Sequence, residues 1–194
     1  IAGFEVFPLL LFIGIGAMID FGPLLEKPWL IFIGAAAQGG IFLTLILASF
    51  FFPLRDAASI AIIGAADGPT AILVSQRLSS QFLGQIIIVA YSYMALVPMV
   101  QPLALKLSTT KKEREIRMTY TSSSVSRRTR IIFPIAVTII CSLIAPESAA
   151  LVGMLMFGNL LRECGVLDSL ASAAKDVLSP LVTLLLGLSI APMM

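Results

Sequence analysis

The amino-acid sequence predicts an all-α fold: a polytopic membrane helical bundle that contains broken (discontinuous) helices. Three observations lead to this prediction. Of the 194 residues, 58% are hydrophobic and only 12% are charged, whereas soluble domains carry about 25% charged residues. Apolar stretches recur along the whole chain, which is long enough for roughly six or seven membrane spans of ~20 residues. One stretch, 57–74, carries an aspartate and a Gly-Pro pair in its middle.

The apolar stretches follow one another along the chain at 4–19, 29–52, 57–74, 82–105, 131–145, 149–161 and 181–194. The second and fourth are long enough to cross a bilayer. The fifth and sixth are short, which predicts a tilted helix or a broken, re-entrant pair. Segment 163–177 predicts an amphipathic interfacial helix, because its apolar residues recur at helical spacing and its charges lie elsewhere.

Charge divides the chain into three regions. Region 106–130 holds eight of the thirteen basic residues and two acids, so its net charge is +6, and the remainder is −4. By the positive-inside rule this loop is cytoplasmic. The basic residues of this loop either only fix the orientation of the chain in the membrane or also form a docking surface for a soluble partner. It does not suit a nucleic-acid reader. We therefore expect membrane helices at 1–105, with a broken helix at 57–77, and again at 131–194. By alternation, the third stretch runs from the cytoplasmic side at Arg55 to the outer side near Ser80.

The composition argues against several kinds of chemistry. The sequence has no His, which is the commonest general base and a frequent zinc ligand. Cys141 and Cys164 lie in or beside apolar stretches without metal-ligand spacing, so we expect neither a disulfide nor a redox role. No Gly-rich loop ending in Lys-Ser/Thr is present, so nothing indicates direct use of ATP.

The strongest local signal is GAADGPT, residues 64–70. Pro69 lacks a backbone donor and restricts the residue before it, which predicts two half-helices joined by a short unwound segment. Free carbonyls there, the Asp67 carboxylate and the Thr70 hydroxyl would form a cluster of hard oxygens suited to Na⁺ or a proton. We expect Asp67, Thr70 and Gly64 to bind Na⁺ through side-chain or backbone oxygens. The alternatives are ion pairing for Asp67 and close helix packing for Gly64 with Gly68.

Further candidates are polar side chains inside apolar stretches. Tyr91 and Tyr93 lie about ten residues inside the fourth stretch, roughly 15 Å deep in a helix. They point about 200° apart, so at most one faces the Asp67 site. Gln101 lies in the same stretch and Asn159 in the sixth. Interhelical hydrogen bonding is the alternative for Gln101, and capping of a helix break is the alternative for Asn159.

Four blocks of the sequence resemble the membrane-embedded beta subunit of sodium-pumping, biotin-dependent decarboxylases, which act on oxaloacetate, methylmalonyl-CoA, glutaconyl-CoA or malonate. The blocks are PLLLFIGIGAMIDFGPLL (8–25), SIAIIGAADGPTAIL (59–73), AYSYMALVPMVQP (90–102) and GMLMFGNLLRECGV (153–166). TTKKEREIRM (109–118) fits the basic loop of that family. The resemblance extends in order over essentially the whole chain.

The resemblance implies an activity and a set of partners. A carboxyltransferase subunit would transfer a carboxyl group to biotin on a biotin carrier subunit. The beta subunit, beside a small membrane subunit in the lipid of the cell inner (cytoplasmic) membrane, would decarboxylate carboxybiotin, consume a proton and move Na⁺ outward. Na⁺ and carboxybiotin are thus the implied cofactors, a homo-oligomer within the complex stays open, and no nucleic acid is expected. The alternative is a Na⁺- or H⁺-coupled carboxylate secondary transporter without enzymatic activity.

The same resemblance assigns roles to residues. Asp67 matches the family's key Na⁺ and proton residue, and Tyr93 belongs to the same pathway as a proton donor. The family more often has Gly-Gly before Ala-Asp, where this sequence has Gly64 and Ala65. The family also has further N-terminal helices and continues well beyond Met194 with a second inverted repeat. We therefore expect this sequence to be the central part of a longer subunit, one part of an inverted-repeat ion-transporter fold.

Overall fold

The computed structural model describes residues 2–116 and 125–190, and every regular element within these ranges is helical. The all-α prediction is therefore confirmed for the described residues. The α-helices are α1 (Ala2–Met18), α2 (Gly22–Glu26), α3 (Leu30–Ser49), α4 (Leu54–Ala61), α5 (Gly68–Arg77), α6 (Leu83–Ser108), α7 (Lys111–Arg114), α8 (Arg127–Ile144), α9 (Ala149–Cys164), α10 (Asp168–Ala173) and α11 (Ser179–Ile190). Two 3₁₀ turns (Ile62–Ala65 and Pro146–Ser148) and a π-helix (Ala174–Leu178) join some of them.

Two helical segments within the described ranges have the length and composition of membrane spans. They are Leu30–Ser49, with a mean hydropathy of 2.2, and Asp168–Leu188, with a mean hydropathy of 1.4. Shorter apolar helices cover Val6–Met18 and Leu83–Tyr93. Most side chains of α3 are exposed although the helix carries no charge, which suits a helix in apolar surroundings.

The chain divides into two compact units. The first consists of residues 1–31 and 123–193 and contains α1, α2 and the helices from α8 onward. The second is built from residues 32–122 and contains most of α3 and the helices from α4 to α7. Region 106–130 contributes to both units, and its central residues, 117–124, lie outside the described ranges.

The first unit is organised around a close contact between α1 and α9. A Cβ atom at Gly16 would lie 1.8 Å from the carbonyl oxygen of Leu155, and one at Gly158 would lie 1.9 Å from that of Ile13. At these distances any side chain larger than that of glycine would clash with the facing backbone. Small residues allow the same close approach at helix contacts in membranes. The 3₁₀ turn Pro146–Ser148 links α8 to α9 in a helical pair.

The segment expected to form one amphipathic helix, 163–177, is divided in the structure. Helix α9 continues to Cys164, and Gly165 follows with φ +60°, the left-handed conformation that commonly ends a helix. A new helix begins at Asp168 and continues through the π-helix into α11. The part of segment 163–177 that forms a new helix is therefore the part after this break, from Asp168 onward.

In the second unit, α4 and α5 form a hairpin, which differs from the expected passage across the membrane. A straight helix would separate residues 56 and 80 by about 36 Å at 1.5 Å per residue, yet the Ser80 Oγ lies 2.7 Å from the Asp56 Oδ1. The chain reverses because Ala66 adopts the left-handed conformation (φ +55°) and Asp67 is extended (φ −131°). Arg55 and Ser80 therefore lie at the same end of the segment.

The hairpin packs on the first half of α6. Ala71 of α5 is buried against Ile86 and Ala90 of α6, and partly buried apolar residues pack on this cluster: Ile60, Ile62, Ile63 and Phe82. This small core holds the reversal between α4 and α5 against one side of α6.

Candidate functional site

The reversal between α4 and α5, residues 62–67, is termed the hairpin tip. After the 3₁₀ turn, the amide of Ala66 donates to the carbonyl of Ile63 at 3.0 Å. Ala66 is left-handed although it is not glycine, a conformation that costs an L-residue roughly 1–2 kcal/mol. Such strain persists where the surrounding structure imposes it, often at functional sites.

Asp67 lies at the tip, immediately before α5, and its side chain is half-buried. The hydroxyl of Thr70, one turn further on, donates to the Asp67 carboxylate, and the Ala71 amide donates to the Asp67 carbonyl at 3.1 Å. Gly64 belongs to the preceding 3₁₀ turn, and a Cβ there would lie 3.4 Å from Cγ1 of Ile41 on α3. The structure thus brings Asp67 and Thr70 into contact, with Gly64 three residues before Asp67.

The oxygen atoms at the tip are of the kinds that bind hard cations. The carboxylate of Asp67 and the hydroxyl of Thr70 are in contact, and the 3₁₀ turn that precedes them ends in backbone carbonyls. Within residues 2–116 and 125–190, no three His, Cys, Asp or Glu side chains gather into a group that could hold a metal ion. Binding of a hard cation at the tip would therefore depend on one carboxylate together with hydroxyl and carbonyl oxygens.

The two tyrosines of α6 lie in different surroundings. Tyr91 is half-buried, and its phenol is close enough to Asp67 for an electrostatic interaction with the carboxylate. Tyr93 is 42% exposed and lines a half-open cavity of about 270 Å³ with Leu96, Val100 and Gln101. Within this unit the structure brings Tyr91 near Asp67 and places Tyr93 and Gln101 on the lining of one cavity, as expected for tyrosine side chains about 200° apart on a helix.

Asn159 lies in the first unit and is 1% exposed. Its Nδ2 donates to the carbonyl of Ile19 at 2.9 Å and to that of Gly16 at 3.4 Å. The side chain therefore satisfies carbonyls at the C-terminal end of α1, which have no partner within their own helix. The contacts of Asn159 fasten α9 to α1.

A chain of ion pairs surrounds this end of α1. Arg162 approaches Asp20 at 3.6 Å and Glu163 at 3.9 Å, and Arg130 approaches Glu163 at 3.8 Å. The Glu163 side chain is only 11% exposed. The charges join the chain after α1 to the start of α8 and the end of α9. Because the pairs alternate in sign, the little-exposed Glu163 lies between two opposite charges that compensate it.

Sequence reasoning missed a polar cluster at the open end of the hairpin, termed the hairpin base: Asp56, Ser80 and Gln81. Asp56 is 6% exposed. Its Oδ1 accepts hydrogen bonds from the Ser80 hydroxyl at 2.7 Å and the Gln81 amide at 3.2 Å, and its Oδ2 accepts from Gln81 Nε2 at 3.1 Å. The sequence gives little indication of this cluster. Asp56 follows Arg55 and is typical of a charged loop, and its hydrogen-bond partners lie 24 and 25 residues away.

The described part of the basic region is ordered by local contacts. The Thr110 side chain and backbone exchange hydrogen bonds with Glu113, which forms a capping box at the start of α7. The amide and the hydroxyl of Thr110 hold the pKa of Glu113 below its ordinary value of 4.5. Arg114 folds back to donate to the carbonyl of Thr109, whereas Lys111 and Lys112 are exposed. In the other unit, Arg127 donates to the carbonyl of Cys164.

Comparison with known proteins finds similarity along nearly the whole chain. The family described as the Na⁺-transporting oxaloacetate decarboxylase beta subunit matches residues 2–194. The methylmalonyl-CoA decarboxylase subunit beta of Propionigenium modestum is 52% identical over 187 residues, which cover 95% of this chain and 47% of that protein. The oxaloacetate decarboxylase beta chain of Klebsiella pneumoniae is 48% identical over 195 residues, which cover 97% of this chain and 45% of that protein.

A third relative agrees. The methylmalonyl-CoA decarboxylase subunit beta of Veillonella parvula is 49% identical over 184 residues, which cover 94% of this chain and 49% of that protein. The chain thus spans about half the length of the curated relatives it matches.

Proposed function

This chain belongs to the family of Na⁺-transporting oxaloacetate decarboxylase beta subunits, and we propose that its protein decarboxylates carboxybiotin and couples that step to outward Na⁺ transport. The resemblance seen in the four sequence blocks is thereby confirmed. The observation that carries the proposal is the half-buried Asp67 carboxylate at the hairpin tip, with the Thr70 hydroxyl bound to it. Family membership favours this function over a carboxylate secondary transporter, which has no decarboxylation step.

Asp67 would bind Na⁺ and a proton alternately. A carboxylate that holds either cation is neutral, so the site has the same charge in both states and avoids an unpaired charge at membrane depth. The Thr70 hydroxyl can turn an oxygen lone pair toward Na⁺ or donate to the empty carboxylate. A carbonyl oxygen of Gly64 or its neighbours would complete the set, in the way that interrupted helices bind Na⁺ in transporters.

Carboxybiotin, delivered by a carrier subunit, supplies a carboxyl group that leaves as CO₂ when a proton replaces it on the ureido nitrogen. The chain's own residues would hold and move that proton. Tyr93 is the candidate donor by family resemblance, and the electrostatic interaction of Tyr91 with Asp67 makes Tyr91 a second candidate. Tyr93 and Gln101 line the same cavity, where a phenol and an amide offer hydrogen bonds to a polar ring.

We place the protein in the cell inner membrane as a multi-pass subunit, with loop 106–130 on the cytoplasmic side. Helix α6 has 26 residues and a length of about 39 Å, sufficient to cross a bilayer. Its start, and with it the hairpin base, then faces the outer side. The hairpin therefore enters the membrane from that side, and Arg55 lies outside instead of inside.

The proposed partners are a carboxyltransferase subunit, a biotin carrier subunit and a small membrane subunit, within a complex that the beta-subunit names of the relatives imply. The carboxyltransferase would choose the acid. The relatives are named for oxaloacetate and methylmalonyl-CoA, and either acid is compatible with the same beta-subunit chemistry, because carboxybiotin is the common product of the first step.

The substitution Asp67→Asn tests the proposal in the purified complex that contains the full-length subunit. We expect Na⁺-stimulated decarboxylation and ²²Na⁺ uptake into proteoliposomes to be lost together, since an amide holds neither a proton nor a full charge for Na⁺. The matched control is Asp176→Asn, because Asp176 is exposed and pairs with its chain neighbour Lys175 at 4.0 Å. Normal decarboxylation and uptake in the Asp67→Asn complex would refute the assignment.

A further inference from the structure

We propose that Asp56 is a positioning residue for the ion site: it clamps the hairpin base so that Asp67 and Tyr91 are held in register. The inference rests on the proposed function of Asp67 and adds a residue that acts on the site from the other end of the hairpin. Asp56 itself is separated from Asp67 by the length of α4 and the tip.

The clamp is the carboxylate of Asp56. Both oxygens of Asp56 accept hydrogen bonds, at 2.7 and 3.2 Å on Oδ1 and at 3.1 Å on Oδ2. Because Asp56 lies in the first turn of α4 and its donors follow α5, the bonds close the hairpin at its open end. Helices α4 and α5, which are about two and about three turns long, are thereby joined at both ends.

The clamp also reaches α6. The Ser80 Oγ that donates to Asp56 accepts a hydrogen bond from the Phe82 amide at 3.2 Å, immediately before α6 begins. The Phe82 ring meets Phe52, which precedes α4, edge to face at a centroid distance of 5.7 Å. One polar and one aromatic contact thus fasten the start of α4 to the start of α6. Since α6 carries Tyr91, the same cluster fixes the helix that places a phenol beside Asp67.

The consequence of the clamp is preorganisation of the ion site. Na⁺ binding needs several oxygens in a fixed arrangement, and a shift of 1 Å in a supporting element is enough to impair a site. If only a tenth of the molecules keep the competent arrangement after the clamp is lost, the apparent Na⁺ affinity falls about tenfold. The chemistry at saturating Na⁺ remains, because Asp67, Thr70 and Tyr91 are all still present.

Asp56→Ala in the full complex tests the clamp. We expect the Na⁺ concentration for half-maximal decarboxylation to rise about tenfold, while the turnover at saturating Na⁺ stays within about twofold of wild type. The Na⁺ concentration that half-maximally raises the melting temperature should move in parallel, and this second readout does not depend on activity. Asp56→Asn should stay near wild type, because its Oδ1 still accepts from Ser80 and the Gln81 side-chain amide can rotate to pair with the new NH₂.

Ser80→Ala keeps the test decisive if the Asp56→Ala complex fails to fold, since it removes only the hydroxyl shared by Asp56 and Phe82. The same shift in Na⁺ half-saturation is expected, smaller in size. An unchanged half-saturation in the folded variant, or a fall in turnover alone, overturns the positioning role. These outcomes are separate from the proposed function, which fails only if Asp67→Asn retains Na⁺-dependent decarboxylation.

Discussion

The close contact between α1 and α9 predicts that Gly158→Ala strongly destabilises the first unit. The added Cβ would lie 1.9 Å from the Ile13 carbonyl oxygen and 2.8 Å from its carbonyl carbon. Real Cβ atoms essentially never come within 3.0 Å of such neighbours, so the helices must separate locally by about 1 Å. Both clashing atoms belong to helix backbone and cannot rotate away.

The cost has two parts. Overpacking of this kind costs about 1–3 kcal/mol. The separation also draws Asn159 away from the carbonyls of Ile19 and Gly16, where its bonds are 2.9 and 3.4 Å long, and a buried polar group left unpaired costs about 1–3 kcal/mol. We therefore expect the free energy of unfolding to fall by about 2–6 kcal/mol.

Equilibrium unfolding of the full-length subunit in mixed micelles measures this change. The control is Gly187→Ala on α11, where the new Cβ meets nothing within 4 Å; it should be neutral or stabilise by up to ~1 kcal/mol. Gly16→Ala clashes with Leu155 from the opposite side, at 1.8 Å. Since both substitutions force the same separation, the double variant should lose less than the sum of the two. A Gly158→Ala protein as stable as the Gly187→Ala control would refute the reasoning.

Two further predictions concern side chains that hydrogen-bond one turn apart. Thr70→Val removes the hydroxyl bound to Asp67 while keeping the shape of the side chain. The Na⁺ concentration for half-maximal decarboxylation should therefore rise roughly 10–100-fold, as expected for a lost hydrogen bond to a charged group. Thr70→Ser should stay near wild type, and equal values for the two variants would contradict a role of the hydroxyl in Na⁺ binding. Because Thr110 lowers the pKa of Glu113, the capping box stabilises α7 above pH 4.5 and is lost as the pH falls through the lowered pKa. Hydrogen exchange of amides 111–114, corrected for intrinsic rates, should show this loss, and Glu113→Gln should abolish its pH dependence.

The part of the site that the sequence predicted is the part that is local in the chain. Thr70 lies three residues after Asp67, and one helical turn brings such residues together whatever the rest of the fold does. Helical content and family followed equally well from composition and from the sequence blocks. The path of segment 57–77, which reverses instead of crossing the membrane, did not follow from the sequence. A proline one residue into a helix is compatible with either a bent passage or a reversal, and the reversal depends on the left-handed Ala66, where no glycine marks it.

The hairpin base could not be predicted because it depends on tertiary contacts. Asp56, Ser80 and Gln81 are each ordinary residues for the end of a helix, and nothing in the sequence pairs positions 24 residues apart. For a similar reason the sequence could not show which of the two tyrosines, Tyr91 or Tyr93, lies near Asp67. Their spacing shows that at most one meets Asp67, but the rotation of α6 is set by the packing of Ile86 and Ala90 against Ala71, which places Tyr91 on that side.

Hydrogen-bond saturation separates the two buried or half-buried acids of the second unit into different roles. A carboxylate offers about four lone-pair positions. At Asp56 three donors occupy three of these positions, so Asp56 has little capacity for an ion and its bonds fix the structure. Within the described residues, the Asp67 carboxylate is hydrogen-bonded by Thr70, which leaves lone pairs to coordinate Na⁺ or accept a proton. Removal of Asp56 should therefore change the affinity for Na⁺, whereas removal of Asp67 should abolish the coupled reaction.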